Sequence, residues 1–201
     1  MRTFLIAALA AGLPLSNAFA QQDLAPAVAP RESNWAVFFF LSAADDRTTR
    51  PATANLNPAC WSSKTTGGIG ALVEYKTPVS IVLGTGFHYL GTHNNRCTPS
   101  MELRTGVIPF TVAYAIPLGS RIVLAPKIGL SYMYVDGDFG SQNAHASSVK
   151  PTYGLSVEGT LSRRWALRGQ LDRYTGNTNL FGLGQFHQDF VVGSFGGVFK
   201  W

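Results

Sequence analysis

The sequence predicts an all-β protein, an eight-stranded antiparallel up-and-down transmembrane β-barrel, and three observations carry this prediction. The chain of 201 residues contains 46% hydrophobic but only 13% charged residues, about half of the ~25% that soluble domains carry. After residue 20 there is no apolar run of the ~20 residues that a transmembrane helix needs. Instead, apolar residues alternate with polar or small ones through eight short segments. This combination argues against both a charged soluble globule and a helical membrane protein.

The first twenty residues have the features of a cleaved secretory signal peptide. A basic start at Arg2 precedes the apolar run 4–15, and Ala18-Phe19-Ala20 fits a cleavage site. The stretch that follows contains two prolines and several alanines and predicts an extended tether. We therefore expect three parts, namely a signal peptide at 1–20, a periplasmic tether at 21–34 and one barrel domain at 35–201.

The eight alternating segments are separated by connections that are long and short in strict turn. The predicted strands are 35–42, 69–76, 79–89, 103–116, 121–135, 150–161, 165–174 and 190–201. The long connections are 43–68, 90–102, 136–149 and 175–189, and the tight ones are 77–78, 117–120 and 162–164. In a meander, this alternation puts all four long connections on one side, as an up-and-down barrel requires.

One face of the predicted strands is large and apolar, and the other is small or polar. In the seventh strand, for example, Trp165, Leu167 and Leu171 oppose Arg168 and Asp172. Aromatic residues mark the ends of the apolar face, at Trp165, Tyr75, Tyr89, Tyr132, Tyr153, Phe199 and Trp201. An apolar outer face with aromatic girdles and a polar interior is typical of a membrane barrel. A lipocalin-like soluble barrel would reverse the faces and leave too few charges on its exterior.

Two stretches near the end resemble the OmpA-like family of eight-stranded outer-membrane barrels. In 153–174 (YGLSVEGTLSRRWALRGQLDRY) a glycine-containing alternating strand, a short turn and a W-A-L-R run follow one another. In 192–201 (VGSFGGVFKW) alternating apolar residues lead to a terminal aromatic residue. The resemblance covers 35–201 and implies the outer membrane of a Gram-negative bacterium. It also implies that the barrel assembly machinery reads Phe199 and Trp201, although Trp201 stands where phenylalanine is usual.

Alternation places five charged residues inside the predicted barrel, namely Glu74, Lys127, Glu158, Arg168 and Asp172. An eight-stranded barrel is narrow, and an unpaired charge there is costly. We therefore expect ion pairs between Glu158 and Arg168 and between Glu74 and Lys127. Such pairs would plug the lumen; the alternative, which the OmpA resemblance implies, is a narrow gated pore whose pairs rearrange.

The two cysteines, Cys60 and Cys97, fall in the first and second long connections. Both therefore lie on the external side, and the compartment outside the inner membrane is oxidising. We expect a disulfide between them. It would close a loop of about 38 residues, worth about 4 kcal/mol in the chain-entropy model.

The chain is basic, with a formal net charge of +5. Export and the low charge density argue against nucleic acid as the partner. Several cations fall near the long-connection side, where they suit the phosphates of lipopolysaccharide. The candidate lipopolysaccharide contacts are Arg96, Arg104, Lys150 and Arg173, and the alternative is a rim of solvated charges without a ligand.

The sequence does not favour an enzyme, and we expect no catalytic residue, metal or cofactor. His145-Ala146-Ser147 is similar to the H-x-S of outer-membrane lipid A deacylases, but it falls in a predicted loop, and Ser148 replaces the expected asparagine. For His88 the predicted strands offer only Ser80, on the same strand, and Glu74, on the neighbouring strand. Both groupings lack a convincing serine, histidine and carboxylate constellation.

These inferences predict a monomeric, porin-like integral outer-membrane protein with a structural or adhesin-like surface-binding role through four long external loops. The expected partners are outer-membrane lipid, lipopolysaccharide, the barrel assembly machinery and an extracellular ligand. The alternatives are the gated pore and a lipid A-modifying barrel enzyme.

Overall fold

A computed structural model of the chain describes residues 34–47, 65–94, 101–139, 143–180 and 184–201. Its regular elements are β-strands: β1 (Trp35–Asp46), β2 (Thr65–Lys76), β3 (Ile81–Asn94), β4 (Met101–Tyr114), β5 (Ile116–Leu118), β6 (Ile122–Phe139), β7 (Asn143–Thr160), β8 (Trp165–Leu180) and β9 (Gly184–Lys200). No helix in these ranges is long and apolar enough to cross a membrane. The signal peptide, the tether up to residue 33, Cys60, Arg96 and Cys97 lie outside the described residues.

The strands close into a barrel in which every pairing is antiparallel. Strands that follow one another in the chain pair throughout, except that β4 pairs with β6 and β5 continues β4 as one barrel strand broken at Ala115. Pairing of β9 with β1 joins the two ends of the sheet, with Val37 opposite Phe199. The barrel therefore has eight strands, and the predicted fold class is confirmed.

The strand ends at the tight turns were predicted within about two residues, but most of those at the opposite end were predicted too short. Strand β7 begins at Asn143 instead of 150, and β8 runs to Leu180 instead of 174. The predicted long connections 136–149 and 175–189 were therefore wrong, because most of their residues lie in strands. These residues lie beyond the lipid-facing band, where both faces of a strand can be polar and alternation no longer marks it.

The outer surface carries the large apolar side chains, as predicted. Leu41 is 71% exposed and Ile128 is 68% exposed, although both lie in the middle of long strands. On the tight-turn side, Trp35 and Tyr75 meet with ring centroids 5.0 Å apart, and a second aromatic pair on β8 and β9 has the same spacing. An apolar band that ends in an aromatic girdle is the surface that a barrel presents to lipid.

The interior is more apolar than the sequence analysis predicted. Near the tight turns, Phe38 and Phe40 of β1 point inward and stack with ring centroids 4.8 Å apart. They belong to a buried cluster, here called the lower cluster, that also contains Leu72, Ala166 and Val198. Nearer the long connections, an upper cluster contains Ala44, Leu90, Val107, Met133, Tyr174, Phe190 and Val192. Charged and apolar layers thus share the lumen.

The wall of the barrel divides beyond the lipid-facing band. Pairing between β7 and β8 ends, among the described residues, at Thr152 opposite Tyr174. In contrast, β6 and β7 remain paired up to Asp138 opposite Asn143, and β8 and β9 up to Leu180 opposite Gly184. At the rim the β6–β7 hairpin, which stays paired with β4 up to Met101 opposite Phe139, is therefore separated from the β8–β9 hairpin.

Two adjacent glycines of β9 provide a matched test of this packing. A Cβ built on Gly196 would lie 1.9 Å from the backbone oxygen of Phe39, whereas one built on Gly197 meets nothing within 4 Å. Because backbone cannot yield as a side chain can, we expect Gly196→Ala to lower the free energy of unfolding by about 1–3 kcal/mol. Gly197→Ala should change it by less than about 0.5 kcal/mol.

Urea unfolding in lipid vesicles, followed by the mobility difference between folded and boiled protein on a gel, measures both values. Equal stability of the two variants would contradict the close approach of β9 to β1.

Candidate functional site

Arg168 of β8 is the centre of an ion cluster in the lower lumen. Its Nη1 donates to Oε1 of Glu74 at 2.6 Å, and its Nη2 donates to Oε2 of Glu158 at 2.7 Å. The guanidinium also lies 4.9 Å from the ring centroid of Phe38. Lys200 reaches Glu158 from the tight-turn end, with 2.6 Å between Nζ and Oε1. One arginine thereby satisfies two carboxylates from different strands.

A second ion pair joins Lys127 of β6 to Asp172 of β8, with Nζ 2.7 Å from Oδ1. The predicted pair of Glu158 with Arg168 is confirmed, but the predicted pair of Glu74 with Lys127 was wrong. The reason lies in the register, since Gly154 of β7 stands between Lys127 and Asp172. Without a side chain at Gly154, the lysine crosses the strand, and a Cβ there would lie 2.1 Å from Oδ1 of Asp172.

His88 lies deep in the middle of the lumen and does not meet its predicted neighbours. It is 1% exposed. Its Nε2 lies 2.8 Å from the Oγ of Ser42 on β1, and its Nδ1 lies 3.4 Å from the hydroxyl of Tyr174. The predicted partner Glu74 is occupied by Arg168, so the candidate grouping of His88 with Ser80 and Glu74 is not assembled. This buried position suits hydrogen bonding within the lumen and gives a substrate no access.

Lys150 occupies the upper lumen, where it spans the division between β7 and β8. It is 0% exposed. Its Nζ donates to the backbone oxygen of Gly176 at 3.2 Å and to the side-chain oxygen of Gln188. The predicted contact of Lys150 with lipopolysaccharide was therefore wrong, because alternation turns this residue inward. The lysine instead satisfies polar groups where the β7–β8 ladder has ended.

Two further candidate cations in the described residues, Arg104 and Arg173, lie on the outer surface. Arg104 of β4 is exposed and forms an ion pair with Glu102, with 3.2 Å between Nη2 and Oε2. Arg173 of β8 donates from Nε and Nη2 to the two carboxylate oxygens of Asp189, each at 2.7 Å. This bidentate pair uses two of the donors that a phosphate would need. The contact of Arg104 and Arg173 with lipopolysaccharide remains a prediction.

The His145-Ala146-Ser147 motif lies on β7 and not in a loop. Asp136 is the register partner of His145 on β6, and Oδ1 of Asp136 lies 2.7 Å from Nδ1 of His145. Both side chains are exposed. Since alternate side chains of a strand share a face, Ser147 lies on the same outer surface as His145. The predicted placement of the motif in a loop was therefore wrong.

No group of three or more histidine, cysteine, aspartate or glutamate side chains in the described ranges is arranged to hold a metal ion.

The buried charges predict unequal effects of removing two arginines. Arg168→Ala leaves Glu74 and Glu158 without their guanidinium partner, and breaking a buried pair in this way typically costs about 3–5 kcal/mol. Arg104→Ala removes only an exposed pair and should cost less than about 1 kcal/mol.

Urea titrations of both variants in lipid vesicles give the two losses. A loss for Arg168→Ala no greater than that for Arg104→Ala would contradict a stabilising role of the cluster.

No protein-family model matches the chain, and no curated protein matches it. Among solved structures, the chain is similar to Neisserial surface protein A, with a TM-score of 0.58 and 13% identity over 84% of this chain and 98% of the other. It is also similar to the outer membrane protein OprG from Pseudomonas aeruginosa, with a TM-score of 0.56 and 12% identity over 85% and 97%.

A third similar structure is the outer membrane protein AlkL, with a TM-score of 0.60 and 11% identity over 91% of this chain and 97% of the other. At this level of identity the likeness is one of fold. The chain has the eight-stranded barrel of these outer-membrane proteins, and its exposed apolar band places that barrel in an outer membrane.

Proposed function

We propose that the protein is a structural outer-membrane barrel with a closed lumen, whose rim hairpins serve as adhesin-like binding elements at the cell surface. The observation that carries the proposal is the filling of the lumen. The Arg168 ion cluster and the lower cluster share the tight-turn half of the lumen, and the His88 hydrogen bonds lead from there to the upper cluster.

Opening a pore would require several of these layers to move together. Arg168 lies against Phe38 and holds Glu74 and Glu158, so its displacement would leave two carboxylates unpaired in a narrow interior. Phe38, Val192 and Val198 are 0% exposed, and these apolar side chains fill the lumen without forming ion pairs that could be exchanged. A gated pore therefore needs a larger rearrangement than an exchange of ion partners.

The rim hairpins support surface binding. From Val149, which is exposed on the apolar band, β7 continues for six more residues to Asn143, which at ~3.3 Å per residue is about 20 Å. The exposed residues along this extension are polar, and they include His145 and Ser147. Strands that continue beyond the lipid give a binding surface more rigidity than loops would.

The filled lumen predicts a barrel that does not conduct. Purified protein in a planar bilayer in concentrated potassium chloride should give no single-channel steps, because two buried apolar clusters and the ion pairs occupy the lumen. A general porin added to the same bilayer confirms that channels are detected. Reproducible steps from the pure protein that disappear on boiling would overturn the closed lumen and favour the gated pore.

The topology predicts which end of the barrel reaches the cell surface. In intact cells, a membrane-impermeant maleimide should label His145→Cys on the β6–β7 hairpin but not Lys76→Cys near a tight turn. The protein without either substitution gives the background of Cys60 and Cys97. Labelling of both variants after the outer membrane is opened shows that both thiols are reactive. Preferential labelling of Lys76→Cys in intact cells would mean the opposite orientation.

A further inference from the structure

Four exposed cations stand at the tight-turn end of the barrel without a carboxylate partner. They are here called the turn-side cations and are Lys76, Arg121, Arg163 and Arg164. Among the described residues, none of these four side chains forms an ion pair. The acidic side chains of the adjoining strand ends, Glu74 and Glu158, point into the lumen and form ion pairs there. The exposed charged side chains at the described tight turns are therefore all positive.

The described arginines at the long-connection end differ, because each contacts a carboxylate. Arg47 Nε lies 2.9 Å from Asp45 Oδ2. Arg104 Nη2 lies 3.2 Å from Glu102 Oε2, and the third arginine at this end forms the bidentate pair described above. A carboxylate in contact with a cation offsets its attraction for an approaching anion. Complementarity to an anion is thus concentrated at the tight turns.

Backbone hydrogen bonds hold the three turn-side arginines in one arc. The N–H of Thr160 at the end of β7 donates to the carbonyl oxygen of Arg121 at 2.8 Å, so the turn before β6 lies beside the β7–β8 turn. That second turn carries Arg163 and Arg164, and the carbonyl oxygen of Arg164 accepts from the N–H of Lys200 at 2.8 Å. Two strand spacings of about 4.8 Å separate the backbones of Arg121 and Arg164 by about 10 Å. This is close to the Debye length of about 8 Å in physiological salt, so an anion between the arginines is attracted by all three.

The arc lies at the edge of the surface that contacts lipid. Leu161 is 67% exposed and Trp165 is 52% exposed, and the two arginines of the β7–β8 turn lie between them in the chain. Ile122, the residue after Arg121, is also an exposed apolar residue. One strand residue spans about 3.3 Å, and the headgroup layer beside the hydrocarbon is about 5–7 Å thick. The guanidinium groups therefore lie within reach of lipid phosphates.

We propose that the turn-side cations form a binding surface for phospholipids whose headgroup carries a net negative charge. Guanidinium groups bind phosphate oxygens through paired N–H donors, and Trp165 supplies an aromatic ring at the level where headgroups begin. The short turns of outer-membrane barrels face the periplasm, so these lipids belong to the periplasmic leaflet. The surface is independent of any role of the rim hairpins, because it lies at the other end of the barrel.

The carboxylates of the cell wall are a second polyanion that a periplasmic surface could meet. The position of the arginines favours lipid, because they adjoin side chains that already face the hydrocarbon. A partner in the periplasm would gain nothing from that position.

The test measures how strongly the folded protein prefers an anionic to a neutral phospholipid. The full mature protein is folded into phosphatidylcholine vesicles, and spin-labelled phosphatidylglycerol or phosphatidylcholine, labelled on the same acyl chain, reports the lipid immobilised at the barrel. The ratio of the two association constants should be about three or more at low salt. It should approach one at about 1 M salt, where the Debye length is about 3 Å. Both leaflets have the same composition, so the direction of insertion does not affect the ratio.

Two triple variants and one single variant separate charge from other effects. Arg121→Gln, Arg163→Gln and Arg164→Gln together should lower the ratio to about one. Lysine at the same three positions keeps the charge and should keep most of the preference. Arg47→Gln is the matched control, since it removes a paired cation at the other end of the barrel, and it should leave the ratio unchanged. Gel mobility of unboiled samples confirms that each variant is folded.

A preference that the glutamine variant loses and the lysine variant keeps supports the surface. A wild-type ratio near one at low salt overturns the proposal, and so does a preference that survives in the glutamine variant. Equal loss in the lysine and glutamine variants also overturns it, because charge would then not be the cause. Sedimentation with purified peptidoglycan tests the other polyanion. Wild-type protein that sediments through these arginines but has a lipid ratio near one would bind the cell wall instead.

Discussion

The closed ladder of hydrogen bonds between strand backbones is the interaction on which the rest of the structure depends. Inside a membrane no water can satisfy a free N–H or C=O group, so a sheet is stable there only when it has no edge. Pairing of β9 with β1 and of β4 with β6 removes both edges. Closure with eight strands then fixes two further properties, an outer face that touches lipid at every second residue and an interior too narrow to remain empty.

The narrow interior explains why charge and bulk occur together in the lumen. Arg168 can be buried because Glu74 and Glu158 meet it from two other strands while Phe38 covers its face. Space for such contacts comes from residues without side chains. Gly154 lets Lys127 reach Asp172 across a strand, and the absence of a Cβ at Gly70 leaves room for the ring of Phe40. Glycines on the inward face thus leave the space that the charged and aromatic side chains occupy.

The sequence was sufficient for the fold because lipid imposes alternation on the outward face, which identified the strands, their direction and the inward charges. It was insufficient where lipid does not act. Phe38 and Phe40 lie in a segment that is apolar on both faces, so alternation did not show that they fill the lumen. The partner of Lys127 depends on three adjacent strands, although the register through Gly154 could have indicated Asp172.

The same requirement explains why the strands part only at the long-connection end of the barrel. Beyond Val149, water can satisfy the backbone, so an edge is no longer forbidden and β7 can part from β8. A barrel of this size therefore offers free backbone donors beside exposed side chains only above its apolar band. His88 and Ser42 meet at 2.8 Å, but they do so inside the closed part of the barrel. Asp136 and His145 lie where the ladder has opened, and their side chains, 2.7 Å apart, are exposed.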